Sequence, residues 1–561
     1  MRFAEMFRIV SFPLVFLRQG VYDEEQRNMS AAASRLKGGC LMKRSSGILM
    51  HLSSLASPYG IGTMGKAARD FVDFLYRAGQ GYWQILPICP TSYGDSPYQS
   101  FSTFAGNPYF IDLDLLAEDG LLLPEEYQTI DWGGTPDCVD YGRLYELRYP
   151  VLHKATARLL ANPPADYRQF CEENAFWLPD YALFMALKDA HSGAAWGEWD
   201  PELIRSDPEA LAEARASHAD AIQFWKAVQY LFFRQWKALK AYANEKGIQI
   251  IGDLPIYVAA DSVDVWSSPQ EFQLDENLVP TEVAGCPPDA FSATGQLWGN
   301  PLYDWDAMRK TGYAWWVRRI RHLCGIYDVV RIDHFRGFAG YYAIPFGSAD
   351  ACNGRWREGP GIELFQTIER ELGKQNIIAE DLGFLTDDVY ALLNATGYPG
   401  MKVMEFAFDS RDGGNYLPHD YPRGCIAYTG THDNEPVNGW FETAAPADTA
   451  RAIDYLQLTK KEGYHWGMLR GIWSSVADLA IVQAQDILGL GHEARMNTPS
   501  TLGGNWCWRA KPGAFSARLA KKLRHVTEIY GLSLIHISEP TRLALMSDAG
   551  VGVEKNWGGG G

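Results

Sequence analysis

From Gly47 to Gly531 the chain repeats one pattern, a short apolar run that ends in polar or acidic residues, often followed by an amphipathic stretch. The runs are Ile48–Leu52, Tyr82–Leu86, Ile248–Asp253, Asp328–Ile332, Ile377–Ala379, Val403–Phe406 and Ile426–Thr429. Continuous apolar runs this short read as strands buried on both faces, the habit of parallel sheets covered by helices. The clearest helical pattern covers 221–243, where Trp225, Val228, Phe232, Trp236 and Leu239 recur at spacings of three or four. No glycine-rich phosphate fingerprint follows the first run, so the repeat favours a (β/α)8 TIM barrel over a doubly wound sheet. Roughly 160 residues separate the second run from the third and roughly 75 the third from the fourth, too many for structureless loops. These are expected to be large, mainly helical insertions after the barrel strands, the main one about 113–220. Insertions there sit at the C-terminal face, where barrel active sites are built. No internal repeat or flexible linker interrupts 42–531, which is expected to form a single catalytic barrel.

Charge and cysteine usage narrow the partners. The net charge of −17, from 68 acidic against 51 basic residues, repels phosphate backbones and anionic membranes, so neither nucleic acid nor membrane is an expected partner. The nine cysteines stand singly with no CxxC pair, which argues against a disulfide framework or structural zinc and for a cytoplasmic location. No apolar run approaches the roughly 20 residues of a spanning helix. Ile9–Leu17 lies behind Arg2 and Arg8 like a signal peptide, but Arg18 and the acidic Asp23, Glu24 and Glu25 follow without a small-residue cleavage site.

The two ends read differently from the rest. Lys37-Gly38-Gly39 just before Met42 resembles a purine-rich ribosome-binding stretch translated in frame. Residues 1–41 are therefore expected to be a non-native upstream extension, the alternative being a genuine poorly ordered tail. Leu532 to Arg542 resembles the in-frame translation of a transposase-end sequencing adapter, so 532–561 is expected to be a read-through artefact.

Three segments each deliver a carboxylate as an apolar run ends. Val329-Val330-Arg331-Ile332-Asp333-His334 sets Arg331 and Asp333 two apart, hence on one face of a strand. An arginine beside a carboxylate favours its ionised form, which a nucleophile needs. Ile377-Ile378-Ala379-Glu380-Asp381 brings Glu380, whose desolvation would raise its pKa and suit it to donate a proton. Thr429-Gly430-Thr431-His432-Asp433 adds a third acid beside an imidazole. Taken singly, Asp333 can be an ion-pair partner, Glu380 a helix N-terminal acid and Asp433 a turn residue. Together they fit retaining glycoside chemistry, in which one carboxylate attacks and another serves as acid and then base.

These motifs resemble the amylomaltase and disproportionating-enzyme family, glycoside hydrolase family 77, a relative of the α-amylases. The likeness extends over Ser53–Gly62, Ser92–Tyr109, Gly252–Tyr257 and Gly295–Pro301, and so over nearly all of 43–531. It implies a retaining 4-α-glucanotransferase that moves α-1,4-glucan segments from maltooligosaccharide, starch or glycogen to glucose or another glucan. It further implies Asp333 as nucleophile, Glu380 as acid/base and Asp433 as transition-state stabiliser. Arg331, His334, His432, Ser96, Tyr98, Asp253, Gln296, Trp298, Phe291 and Asn497 match substrate-binding positions, with Pro287 to Trp298 a loop closing over the acceptor side. No metal and no cofactor is implied. Arg495-Met496-Asn497-Thr498-Pro499 resembles the family's last-strand motif, but Ser500 stands where the family usually has glycine. The same carboxylates also suit an α-1,4-glucan hydrolase, and their loss of function would leave an inactive glucan-binding protein.

Overall fold

A computed structural model describes residues 44–92, 94–288, 292–383, 385–410, 416–501 and 503–533. Residues 1–41, most of the 532–561 segment, and Phe291 lie outside the described residues.

The strands run in chain order β1 (Ser45–Leu49), β2 (Tyr82–Gln84), β3 (Gln249–Leu254), β4 (Glu282–Cys286), β5 (Gln296–Pro301) and β6 (Val329–Ile332). They continue as β7 (Gly340–Pro345), β8 (Arg355–Glu358), β9 (Ile377–Ala379), β10 (Gly400–Val403), β11 (Cys425–Tyr428) and β12 (Leu479–Gln483). Eight of them form one sheet in the order β10-β11-β12-β1-β2-β3-β6-β9, with every pairing parallel. The Ala379 N–H donates to the Pro399 carbonyl at 3.0 Å, joining the two outer strands and closing the sheet towards a barrel. Helices lie between most successive strands of this sheet, while between β10 and β11 the described residues form the 3-10 turns Met404–Phe408 and Pro418–Asp420. The expected (β/α)8 barrel is what the chain forms.

The structure moves several strand edges. The first apolar run begins its strand at Ser45, and Leu52–Ser54 is a 3-10 turn. The sixth run was expected over Val403–Phe406, whereas β10 ends at Val403 and Met404–Phe408 turns as a 3-10 segment. Both stretches are almost wholly buried, so hydrophobicity cannot tell where extended backbone stops. Strand β12 was not among the expected runs. The last-strand motif at 495–499 is not a strand either, but irregular chain after the turn His492–Ala494.

The insertion after β2 is helical. It comprises Leu113–Glu118, Tyr141–Ala161, Ala165–Glu173, Leu178–Ala190, Pro201–Ile204 and Pro208–Ser217, and leads into the long helix Ala219–Glu245. That helix buries Phe224, Trp225, Val228, Phe232, Trp236 and Leu239 at the spacing seen in the sequence. Two of its glutamines do backbone work. Gln229 exchanges hydrogen bonds with Gly106, accepting from its N–H at 2.7 Å and donating to its carbonyl at 2.9 Å. Gln235 treats Asp112 the same way, at 2.7 and 3.0 Å. Each amide thus serves as a one-residue strand partner for a buried loop whose backbone would otherwise go unpaired. Gly106 allows the approach, since a Cβ there would stand 2.0 Å from the Phe232 ring.

The other insertions include a sheet the sequence did not suggest. Antiparallel β5-β4-β7-β8 draws β4 and β5 from the segment after β3, and β7 and β8 from the segment after β6. Two loops over the mouth of the barrel are thereby hydrogen-bonded to each other.

Candidate active site

Strands β3, β6 and β9 are neighbours, and their C-terminal ends present Asp253, Arg331, Asp333 and Glu380 together. Residues 331 and 333 share a face, and the Arg331 guanidinium reaches both acids. Its NH1 group donates to Asp253 Oδ1 and Oδ2 at 2.7 Å each, and to Asp333 Oδ1 at 2.9 Å. Arg331 and Asp253 are buried, while 28% of the Asp333 side chain remains exposed. Tyr98 donates to Asp253 Oδ2 at 2.7 Å, so Asp253 is held by both Arg331 and Tyr98.

Glu380 is tied to the backbone that carries Asp333. Its N–H donates to Ile332 O at 2.9 Å, and its own carbonyl accepts from Phe335 N at 3.0 Å. Its carboxyl oxygens accept from His334 N and Leu382 N, each at 2.7 Å. His334 is in the left-handed region, φ 51°, a conformation costly for a residue with a side chain, at the turn whose N–H meets Glu380. The adjacent Asp381 does something different. Its Oδ1 accepts from Met401 N at 2.6 Å, sealing the β9–β10 seam.

Burial pushes the Asp333 carboxyl well above the usual carboxylate range. Arg331 opposes this, and Asp253, Glu380 and Asp433 add to it. Burial also raises Glu380, against the pull of Arg331 and of the Leu382 and His334 amides. Acids this close do not all ionise together, so the site retains a proton. Arg331 hydrogen-bonds Asp333, whereas the acceptor bonds of Glu380 come from neutral amides. His334 is lowered to about 3 by burial and is neutral, and burial likewise lowers His432.

The opposite rim is built by a loop. After β11 the chain carries His432 and Asp433, and side chains from far along the sequence fix them. Asn497 donates to Asp433 Oδ1 at 2.7 Å, and Arg495 donates to the Asp433 carbonyl at 2.7 Å and to Glu435 at 2.6 Å. His432 Nε2 stands 3.5 Å from Asp433 Oδ1. Its ring stacks on Tyr98, centroids 5.0 Å apart and planes 18° from parallel, with Trp506 against both.

The remaining expected residues take more peripheral places. Gln296 and Trp298 lie on β5, where Trp298 Nε1 donates to Gln296 at 3.0 Å and its ring meets His334 edge-on at 4.8 Å. Ser96 accepts from Tyr98 N at 3.2 Å, fixing the turn that presents Tyr98. The sequence reading missed the positions of Arg495 and Trp506 in this site. The pair Gly503-Gly504 just before Trp506, both at positive φ, was the available sign of a specialised turn. Among the described residues no helix is long and apolar enough to cross a membrane, and no group of His, Cys, Asp and Glu side chains could hold a metal ion.

A parallel (β/α)8 barrel with an arginine-held aspartate, a buried glutamate and a third aspartate at its C-terminal mouth defines the class of barrel enzymes that act on glycosidic bonds. The family model described as 4-alpha-glucanotransferase, glycoside hydrolase 77, matches residues 50–515, and the chain belongs to that family. It is 50% identical over 484 residues to a 4-alpha-glucanotransferase of Clostridium butyricum, covering 86% of this chain and 99% of the relative. With the Thermus thermophilus 4-alpha-glucanotransferase it shares 47% identity over 498 residues, covering 87% and 99%. An amylomaltase from Streptococcus agalactiae, solved in complex with acarbose, superposes with a TM-score of 0.86 at 45% identity, covering 88% of this chain and all of that one.

Proposed function

We propose that this enzyme transfers α-1,4-glucan segments by double displacement at Asp333. The single observation behind this reading is the Arg331 guanidinium bound to Asp333, with Glu380 hydrogen-bonded to the next residue's amide. Glu380 gives its proton to the glycosidic oxygen as Asp333 attacks the anomeric carbon, forming a glycosyl ester and releasing the leaving glucan. Glu380, now a carboxylate, takes the proton from an acceptor sugar hydroxyl, which displaces Asp333. Two inversions give net retention. Asp433, held by Asn497, stands beside the sugar and stabilises its oxocarbenium-like transition state. Donors are maltooligosaccharide, starch or glycogen, and acceptors are glucose or glucan.

Transfer requires that a sugar outcompete water for the ester. Water is at ~55 M, so the acceptor needs a large effective concentration, and oriented binding can supply factors of ~10⁵ or more. Trp298, packed against His334 on β5, is suitably placed to seat the acceptor and exclude water. Incubation with maltotriose tests the reading. Glucose plus a ladder of longer oligosaccharides supports transfer, and glucose with maltose alone refutes it. Trp298→Ala is expected to raise the ratio of hydrolysis to transfer several-fold. A proportional fall in both would remove Trp298 from acceptor selection.

Cys89, Cys138, Cys171, Cys324, Cys352, Cys425 and Cys507 form no disulfide, which supports cytoplasmic residence. The catalytic unit is proposed to span 42–531, and the buried Leu532 packs with it.

A further inference from the structure

Asp486 is fully buried on the short helix Ala484–Leu488 that follows β12, and its carboxylate faces the loop from below. Oδ2 accepts from the Thr429 hydroxyl at 2.6 Å. Oδ1 accepts from the Val437 backbone N–H at 2.7 Å. Thr429 is the first residue past β11, and Val437 opens the helix Val437–Thr443. His432 and Asp433 lie between these two anchors.

We propose that Asp486 is a positioning residue for the transfer reaction: its one carboxylate joins both feet of the loop that carries His432 and Asp433, and so sets where Asp433 stands. The proposal rests on the reading of Asp433 as the acid beside the transition state. Within the loop, Asn434 Oδ1 accepts from both the N–H and the hydroxyl of Thr431 at 2.9 Å, leaving a compact turn with little slack of its own. The foot at Gly430 is packed closely too. A Cβ there would lie 2.7 Å from Gln483 Nε2 and 3.1 Å from both Asn434 Cβ and Glu405 Oε1. A rigid turn on two anchored feet moves as a body, so loosening either foot displaces Asp433 as a unit.

The electrostatics support a strained but purposeful anchor. Burial pushes Asp486 up to about 6, opposed by its hydrogen bonds from Thr429, Val437 and Gln483. Glu405, in the 3-10 segment after β10, faces it, raised well above the usual range by burial and by Asp486 and Glu435, with Arg495 pulling down. Keeping two buried acids together costs stability, and hydrophobic packing would fill the space more cheaply.

The test uses Thr429→Val, which is nearly isosteric and removes one foot, with Thr429→Ser as the conservative control. Initial rates of maltotriose disproportionation are measured for these, for Asp433→Asn, and for Thr429→Val combined with Asp433→Asn. Thr429→Val is expected to lower kcat about tenfold while changing KM less than about twofold, since a displaced stabiliser weakens the transition state more than the ground state. Thr429→Ser should restore most of the rate. In the Asp433→Asn background Thr429→Val should cost nothing further, because the group it positions is gone. Asp486→Ala is expected to lower kcat about 100-fold, and should it fail to fold, the Thr429 variants carry the test. Wild-type kcat in Thr429→Val, or a loss that multiplies with Asp433→Asn, would overturn the role of Asp486. Full activity in Asp433→Asn alone would instead overturn the reading of Asp433 beneath it.

Discussion

The two rims of the site are held by different means. Asp253, Arg331, Asp333 and Glu380 stand at strand ends, and the ladder β3-β6-β9 fixes their spacing before any side chain interacts. His432 and Asp433 stand on a loop, where Asn497 and Arg495 donate to Asp433 and Asp486 accepts from Thr429 at the loop's foot. Groups proposed to make and break bonds are thus on the stiffest elements, while the group proposed to respond to developing charge is placed by replaceable side-chain contacts. Substitutions on the strand rim should therefore remove chemistry and leave geometry, whereas those on the loop rim should degrade geometry by degrees.

The sharpest contrast is at Asp333. Asp333→Ala is expected to lower kcat by about 10⁴-fold or more while oligosaccharide binding, measured calorimetrically, stays near wild type. A variant that lost binding in proportion would show that the strand rim is also the binding platform. Glu380→Gln comes next, with a loss of about 10²- to 10⁴-fold on maltotriose. A glucosyl fluoride donor, whose leaving group needs no proton, should recover much of it. The sign of the pH dependence follows from burial having raised Glu380. The acid form is present below its pKa in the site, so wild-type turnover of natural donors falls as pH rises through that value. The first step on glucosyl fluoride should lack this alkaline limb in Glu380→Gln. Equal loss on both donors would make Glu380 a structural residue.

On the loop rim the effects shrink. Asn497→Ala removes the 2.7 Å bond to Asp433 and is expected to lower kcat about tenfold, with no change in which donors rescue it. A loss as deep as that of Asp333→Ala would erase the distinction between the rims. The smallest expected effect is at Ser500, an exposed residue at φ 63°. Glycine relieves a left-handed strain of about 1 kcal/mol and returns part of it as unfolded-chain entropy. Ser500→Gly should therefore add about 0.5 kcal/mol of stability, ~1 °C in Tm, without altering kcat. A fall in Tm on calorimetry would mean that the Ser500 side chain is itself anchored.

The same division explains what the sequence disclosed. Strand-rim residues sit within contiguous apolar motifs, so Arg331, Asp333 and Glu380 were visible with their strands. Asp433 was visible beside His432, and Asn497 through the family likeness, but the contacts around them were not, because Asn497 lies 64 positions from Asp433 and Asp486 lies 57 from Thr429. Strand β12 was hidden for a local reason. Leu479–Gln483 runs directly into the helix Ala484–Leu488, and no glycine or proline between them marks the change of period. The antiparallel sheet was hidden because β4 and β5 are short and interrupted by Gly285 and Gly299, leaving neither period legible. The departure at Ser500 was seen correctly as a position suited to glycine, and its positive φ supplies the reason.

That antiparallel sheet also bears on how such enzymes can be recombined. Its central pairing, Val283 with Ile344 and Gly285 with Tyr342, joins two segments separated in the chain by a barrel strand and its helices. Transplanting the β4–β5 segment alone from a relative would leave a foreign edge against β7, with mismatched register and side chains. The unit that can be exchanged intact is therefore the pair of loops together, and a crossover point falling between residues 301 and 340 divides what the fold holds as one piece.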